Sequence, residues 1–370
     1  MARPKLNGPV RWWIAAPLLA ITLFVSPIPA WVVDEFFSRD LYPWLQRGLT
    51  TVSNLVEFAV LDVLIVLGLL AVAYRLVRLL LVAATGGPID ALWEGVRRGI
   101  RALAVVALVF MLAWGCNYRR IALDATLGAD TEAAGLTTDT LLAAITEADA
   151  LAAALRTSGA VDHEMTYTRA AEQLRRPMNA ALEELNRTPL WQPGRPKVSR
   201  LLTPFFTLAG VNGLVNPFAL ESIVHPDLVP VERAFVLAHE WAHLSGHADE
   251  AEANAVAWLA CMKGGPELAY SASLYLIMEA GGALPEAEWS RAFAALGPDV
   301  QADIRLIAQR TLRQHPEVQR AASRVYDEYL RANRVADGTK SYSRALTLIL
   351  APPFRGVLEE YKKEALGAGL

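Results

Sequence analysis

Three apolar runs in the first third of the chain constrain its fold more than any other feature. Residues 10–33 read VRWWIAAPLLAITLFVSPIPAWVV, 55–74 read LVEFAVLDVLIVLGLLAVAY and 99–116 read GIRALAVVALVFMLAWGC. A helix needs about 20 apolar residues to cross a bilayer, and each run comes close to that length. Trp12 and Trp13 at one edge of the first run and Trp31 at the other suit the headgroup level. A cleaved signal peptide has the same basic start and apolar core, with small residues near Pro29-Ala30, but the two further runs favour an uncleaved anchor.

Orientation follows from the basic residues. Arg3, Lys5 and Arg11 precede the first run, and Arg75, Arg78, Arg97, Arg98 and Arg101 fill the second loop, whereas the first loop holds only Arg39 and Arg47. The positive-inside rule places the N-terminus in the cytoplasm and the C-terminal part outside, with Arg119 and Arg120 weighing against it. Glu57 and Asp62 fall near the start of the second run, where solvation at the interface or a helix contact accounts for them.

A hydrophobic content of 54% against 20% charged residues agrees with a membrane protein. A net charge of −3 offers no footprint for nucleic acid, and no zinc-finger or glycine-rich phosphate pattern occurs, so nucleic acid is excluded as a partner. The two cysteines, Cys116 and Cys261, support neither a disulfide framework nor a CxxC site and read as buried thiols. With 370 residues there is room for two units: a membrane domain, 1–120, and a globular part, 121–370.

The globular part reads as mainly α. Helical apolar spacing marks 136–156, 164–187, 231–246, 249–263, 266–280, 286–296, 298–313 and 316–332, and RTPLWQPGRPK at 187–197 is a loop. Between them, 201–225 is broken by Gly and Pro and suggests irregular chain with one extended segment.

Chemistry concentrates in VLAHEWAHLSGHADEAEANAVAWLAC, residues 236–261. His239 and His243 stand four residues apart and project from one helical face, where they can hold one metal ion. Glu240 beside the first can reach a metal-bound water without being a ligand, as in the zincin metallohydrolases. There zinc lowers the water's pKa to about 7 while the carboxylate takes its proton and passes it to the leaving group. Pro230 suits the helix start and Gly246 the stop.

A catalytic zinc needs a third protein ligand, and three acids compete. Asp249 completes HExxHxxGxxD, with Asp in place of the usual His of that spacing. Glu250 opens ExxAN, similar to the ExxAD element of gluzincins. Glu252 points about 200° away from Glu250, so only one of the two can face the metal. Helical geometry favours Glu250, with Asn254 on the same face to accept a hydrogen bond from the first ligand's imidazole, and leaves Asp249 as the N-cap of the new helix. His247, in the turn, faces solvent or groups around the ligands rather than the metal.

Collinear pieces beyond this motif carry a resemblance: WGCNYRR at 114–120, GLVNPFALES at 213–222, HEWAHLSGHADEAEAN at 239–254, YSASL at 270–274 and YDEYLRANRVADGTKSYSRALTLIL at 326–350. Together they resemble DUF3810, a bacterial family of membrane proteins of unknown function with a zincin-like motif. The ExEAN element is also similar to that of the ImmA/IrrE peptidases. His247 and Asp249 depart from the family pattern, which has an aromatic and a basic residue there. The resemblance implies a multi-pass protein of the bacterial inner (cytoplasmic) membrane, with an extracytoplasmic zincin-like domain. His239, His243 and Glu250 would hold zinc and Glu240 would be general base and acid. Asn216, Glu221, Tyr270, Tyr326, Tyr329 and Tyr342 would line the site, a tyrosine stabilising the oxyanion.

The leading expectation is a membrane-anchored zinc metallopeptidase acting on a peptide or protein in the cell envelope, with 213–225 as an edge strand for an extended substrate. Alternatives are a non-catalytic zinc-binding envelope protein that binds a partner, which the intact Glu240 counts against, and a metallohydrolase of a non-peptide amide.

Overall fold

The computed structural model describes residues 10–128, 136–161, 164–189, 192–335, 344–351 and 354–367. It is mainly helical. The first apolar run is not one straight helix: α1 (Val10–Val25) stops before Ser26-Pro27-Ile28-Pro29. Proline lacks an N–H and disfavours helix in the residue before it, so two prolines two apart break the run. Helix resumes as α2 (Ala30–Val32), passes through a π-helical segment (Val33–Leu41) and continues as α3 (Tyr42–Ser53). The segments before and after the break are bent by 112°.

The second run falls mostly in α4 (Val60–Gly86), which begins five residues later than expected and is the one described helix long and apolar enough to cross a membrane. The bent pair makes a second if taken as one span. The third run lies in α5 (Pro88–Ala113) but does not meet that test. Arg97, Arg98 and Arg101 gather around Glu94 in its first half, leaving 102–113 wholly apolar, about 18 Å of helix against a hydrocarbon core of about 30 Å. Three full spans are therefore not found. α1 and α4 both pack on α5. α1 is held at its C-terminal end by Arg119, which donates to the carbonyls of Leu23 and Phe24, and by Arg334 of the globular part, which donates to those of Phe24 and Ser26. The globular part also holds α4 at its start, where Glu221 accepts from the N–H groups of Val60 and Leu61.

Beyond α5 come a 3₁₀ turn (Gly115–Arg119), α6 (Leu123–Leu127), α7 (Thr138–Thr157), α8 (Tyr167–Glu184) and α9 (Thr203–Ala209). A hairpin follows in which β1 (Gly213–Asn216) pairs antiparallel with β2 (Glu221–Val224), Gly213 opposite Val224 and Asn216 opposite Glu221. Lys197 bridges to Ile223 on the other side of β2, so β1 is an edge among the described residues. Two strands thus stand where one extended segment was expected.

The remaining helices are α10 (Pro230–Leu244), α11 (Glu250–Met262), α12 (Pro266–Ala283), α13 (Glu286–Ala295), α14 (Pro298–Thr311), α15 (Pro316–Ala332), α16 (Arg344–Leu350) and α17 (Phe354–Gly367). α11 is the axis of the core: all of its residues are buried, and α8, α10, α12 and α16 surround it. Five alanines, Ala251, Ala253, Ala255, Ala257 and Ala260, keep its girth small enough for neighbours on every side without loss of helix propensity. Val33, Phe37, Tyr42, Trp114 and Cys116, all before residue 121, belong to the same core. Both cysteines are free and buried.

Candidate metal centre

α10 starts on Pro230, where a missing N–H costs nothing, and its first turn is closed by Glu232 accepting from the N–H of Val229. It ends at Ser245 and Gly246. Gly246 has φ +93°, a conformation that suits glycine, and a Cβ there would come within 3.1 Å of Asn117 Oδ1. Around this turn Tyr42 donates to the carbonyl of Leu244 at 2.9 Å and Arg120 to that of Gly246 at 2.8 Å. Asp249 caps α11 by accepting from the N–H groups of Ala251 and Glu252.

This turn lays the start of α11 against the last turns of α10. The Nε2 atoms of His239 and His243 lie 3.0 Å apart, and Glu250 Oε2 is 3.3 Å from the first and 3.6 Å from the second. The three residues offer donor atoms within 4.8 Å of one another. His243 Nδ1 is 2.6 Å from the carbonyl of His247, which can only accept, so Nδ1 carries a proton and Nε2 is the nitrogen left to face a metal. The edge of Trp114 packs on the same ring. Burial opposes charge on Glu250, but the imidazoles of His243 and His239 outweigh it and hold the carboxyl well below the ordinary range. Two imidazole nitrogens, which would give up any proton on Nε2 to a metal, and one anionic oxygen converge with their backs buried, a donor set that fits a zinc ion with an open fourth position.

Glu252 is turned away, as the helical offset requires: it accepts from the N–H of Leu123 at 2.7 Å and pairs with Arg120. Asn254 lines the cleft beside Glu250 but makes no bond to the first imidazole; His239 Nδ1 has no partner. His247 is wholly buried rather than solvent-facing, with Nδ1 2.9 Å from Ser245 Oγ, and its backbone carbonyl is what orients a ligand.

Glu240 is buried on the cleft floor, one carboxylate oxygen without a partner, and burial pushes its carboxyl up to about 7. β1 passes so close that a Cβ on Gly213 would fall 2.3 Å from Glu240 Oε1, so any other residue there would push the Glu240 carboxylate out of its place.

Of the other expected site residues, Asn216, Glu221 and Tyr270 lie elsewhere. Asn216 donates to Glu221 at 2.9 Å, and Glu221 pairs with Lys197 at 2.9 Å, both wholly buried, in a cluster that fastens the hairpin to α4. Tyr270 faces away, donating to Asp303 at 2.5 Å under the guanidinium of Arg156. Tyr342 lies outside the described residues. Tyr326 and Tyr329 are in the cleft wall, and Tyr326 donates to Glu250 Oε1.

The sequence reading missed Tyr275, five residues past Tyr270 and so about 140° further round α12. It faces the cleft, its ring stacked 3.9 Å from that of Phe235 and its hydroxyl buried without a partner. A second tyrosine in YSASLY at that offset was the only signal. The cleft has a volume of about 1530 Å³ and runs between α9, β1, α10, α12 and α15.

The family model for DUF3810, described as a protein of unknown function, matches residues 37–350. The chain belongs to this family. Neither the curated proteins nor the solved structures provide a match.

Proposed function

We propose that the protein is a membrane-anchored zinc metallopeptidase of gluzincin type. One observation carries this reading: two imidazole nitrogens and the Glu250 carboxylate converge on the floor of a large cleft, with the buried Glu240 carboxyl beside the edge strand.

Zinc held by His239, His243 and Glu250 would supply a water of lowered pKa and polarise the scissile carbonyl. The chain's residues do the rest. Glu240, with a carboxyl poised near neutrality, takes the proton from water and returns it to the leaving amine. The open edge of β1 pairs with the backbone of an extended substrate and lays it across Glu240. His247 and Tyr326 hold two of the ligands in place.

The ends of α1, α4 and α5 that meet the globular part lie opposite the basic residues 75–101, so the positive-inside rule favours a cleft outside the bacterial inner membrane. In this reading α1 and α5 cross with α4, the short apolar stretch of α5 being extended by arginines that snorkel.

Purified protein on a peptide library, with and without Glu240→Gln, tests the activity: the intact protein cuts and the variant does not. Equal cleavage by both, or none by zinc-loaded protein, sinks the peptidase. Zinc content tests the ligands, since Glu250→Ala should lose the metal and Glu252→Ala keep it.

A further inference from the structure

We infer that the cleft takes an extended apolar peptide segment presented at the membrane surface, such as the membrane-proximal end of another protein's transmembrane helix. This rests on the peptidase reading and names its substrate class.

Size is the first ground. A volume of about 1530 Å³ exceeds the roughly 300–1,000 Å³ typical of small-molecule sites and suits several residues of chain. Chemistry is the second. No lysine or arginine is among the described residues that line the cleft, whereas Glu279 and Glu317 add carboxylates to Glu240 and Glu250, and a further one, Glu232, is paired with Arg310 behind the wall. An anionic lipid headgroup would lose its hydration there with no lysine or arginine of the lining to replace it, leaving only the metal itself.

The walls are the third ground. Val318, Ala322, Val325 and Tyr329 form one stripe of α15, and that stripe faces the cleft, while the only buried residue of the helix is Leu330. An apolar stripe of this spacing ordinarily packs into a core. Here it is held out over the cleft floor, with Val325 72% exposed.

Position is the fourth. Phe110, one turn from the end of α5, lines the cleft, and Phe206 of α9 packs with Ala59 and Ile223 at the start of α4. Asp62 of α4 accepts from the N–H of Arg200 at 2.7 Å and fixes the approach to α9 there. Beside this junction Leu201, Phe205 and Leu208 are 41–49% exposed, so the cleft wall runs on into the exposed apolar surface of α4. A substrate leaving the bilayer beside α4 would meet these exposed apolar residues before it reaches Glu240.

The test uses the full chain with Glu240→Gln, zinc-loaded in neutral detergent, so that binding is read without cutting. Fluorescence anisotropy compares a leucine-rich peptide of about eight residues with a serine- and glutamine-rich one of equal length, with lysophosphatidylglycerol as competitor. The apolar peptide should bind at least about tenfold tighter, a gap of about 1.4 kcal/mol. Val325→Asp, at an exposed position, should erase that preference without changing zinc content, and the lysolipid should not compete. Equal affinity for the two peptides, an unchanged preference in Val325→Asp, or displacement by lysolipid overturns the inference. Wild-type protein that binds the apolar peptide and leaves it intact refutes the peptidase reading instead.

Discussion

Tyr326 reaches from α15 across the cleft to donate its hydroxyl to Glu250, the carboxylate that closes the candidate metal centre from α11. Its ring stacks on Tyr329, whose hydroxyl is 3.2 Å from that of Tyr118 in the 3₁₀ turn after α5. The oxygen of Glu250 that faces away from the imidazoles is thereby fixed. Removing such a bond costs about 10- to 100-fold in metal affinity, and Tyr326→Phe should weaken zinc binding by that factor. Chelator competition measures it, and an unchanged affinity would remove Tyr326 from the site.

The turn at Gly246 aims the His247 carbonyl at His243. Gly246→Ala forces a side chain into a left-handed conformation and against Asn117 and Tyr42. The expected outcome is a loss of at least about 1 kcal/mol in stability together with weaker zinc binding. Thermal melting of apo and zinc-loaded protein separates the two effects.

Tyr275 offers a different balance. Its hydroxyl is buried and unpartnered, so Tyr275→Phe should leave the melting temperature unchanged or raise it. If the hydroxyl meets a bound substrate, the variant loses kcat by about 10- to 100-fold at unchanged zinc content. Equal kcat would make it a packing residue.

Glu221 predicts a pH dependence. Burial alone would raise its carboxyl, but Asn216, Lys197 and the N–H groups at the start of α4 together hold it below the ordinary value. The unfolded chain therefore binds the proton more readily, and stability rises with pH through the window beneath the ordinary glutamate value of about 4.3. The contribution is complete above that value and is lost as pH falls through the folded one. Glu221→Gln should flatten the acid limb, while Lys197→Met, which leaves a buried carboxylate uncompensated, should cost about 3–5 kcal/mol at neutral pH. Denaturant melts between pH 3 and about 7 read both.

Much of this was legible because it obeys local rules. The helices from α10 to α15 begin and end within a few residues of where periodicity and caps put them, and the offset between Glu250 and Glu252 separates their roles by rotation alone. What stayed hidden depends on partners far along the chain. Asn216 and Glu221 look like site residues in a matching piece, yet they face Lys197 and α4 because β2 is the strand bridged to Lys197. Tyr270 and Tyr275 share a helix, and only its packing on α7 decides which one sees the cleft. The carbonyl of His247, a backbone group, leaves no trace in residue type.

Glu221 capping the first turn of α4, with Tyr42 and Arg120 bracing the turn at Gly246, makes the first 120 residues structural members of the candidate metal centre. A chain begun at residue 121 would leave Lys197 and Glu221 without Ser53 and α4, and the metal turn without Tyr42 and Arg120. If the protein is the peptidase proposed above, cutting it loose from these N-terminal helices would switch it off, and it would act only while they are attached.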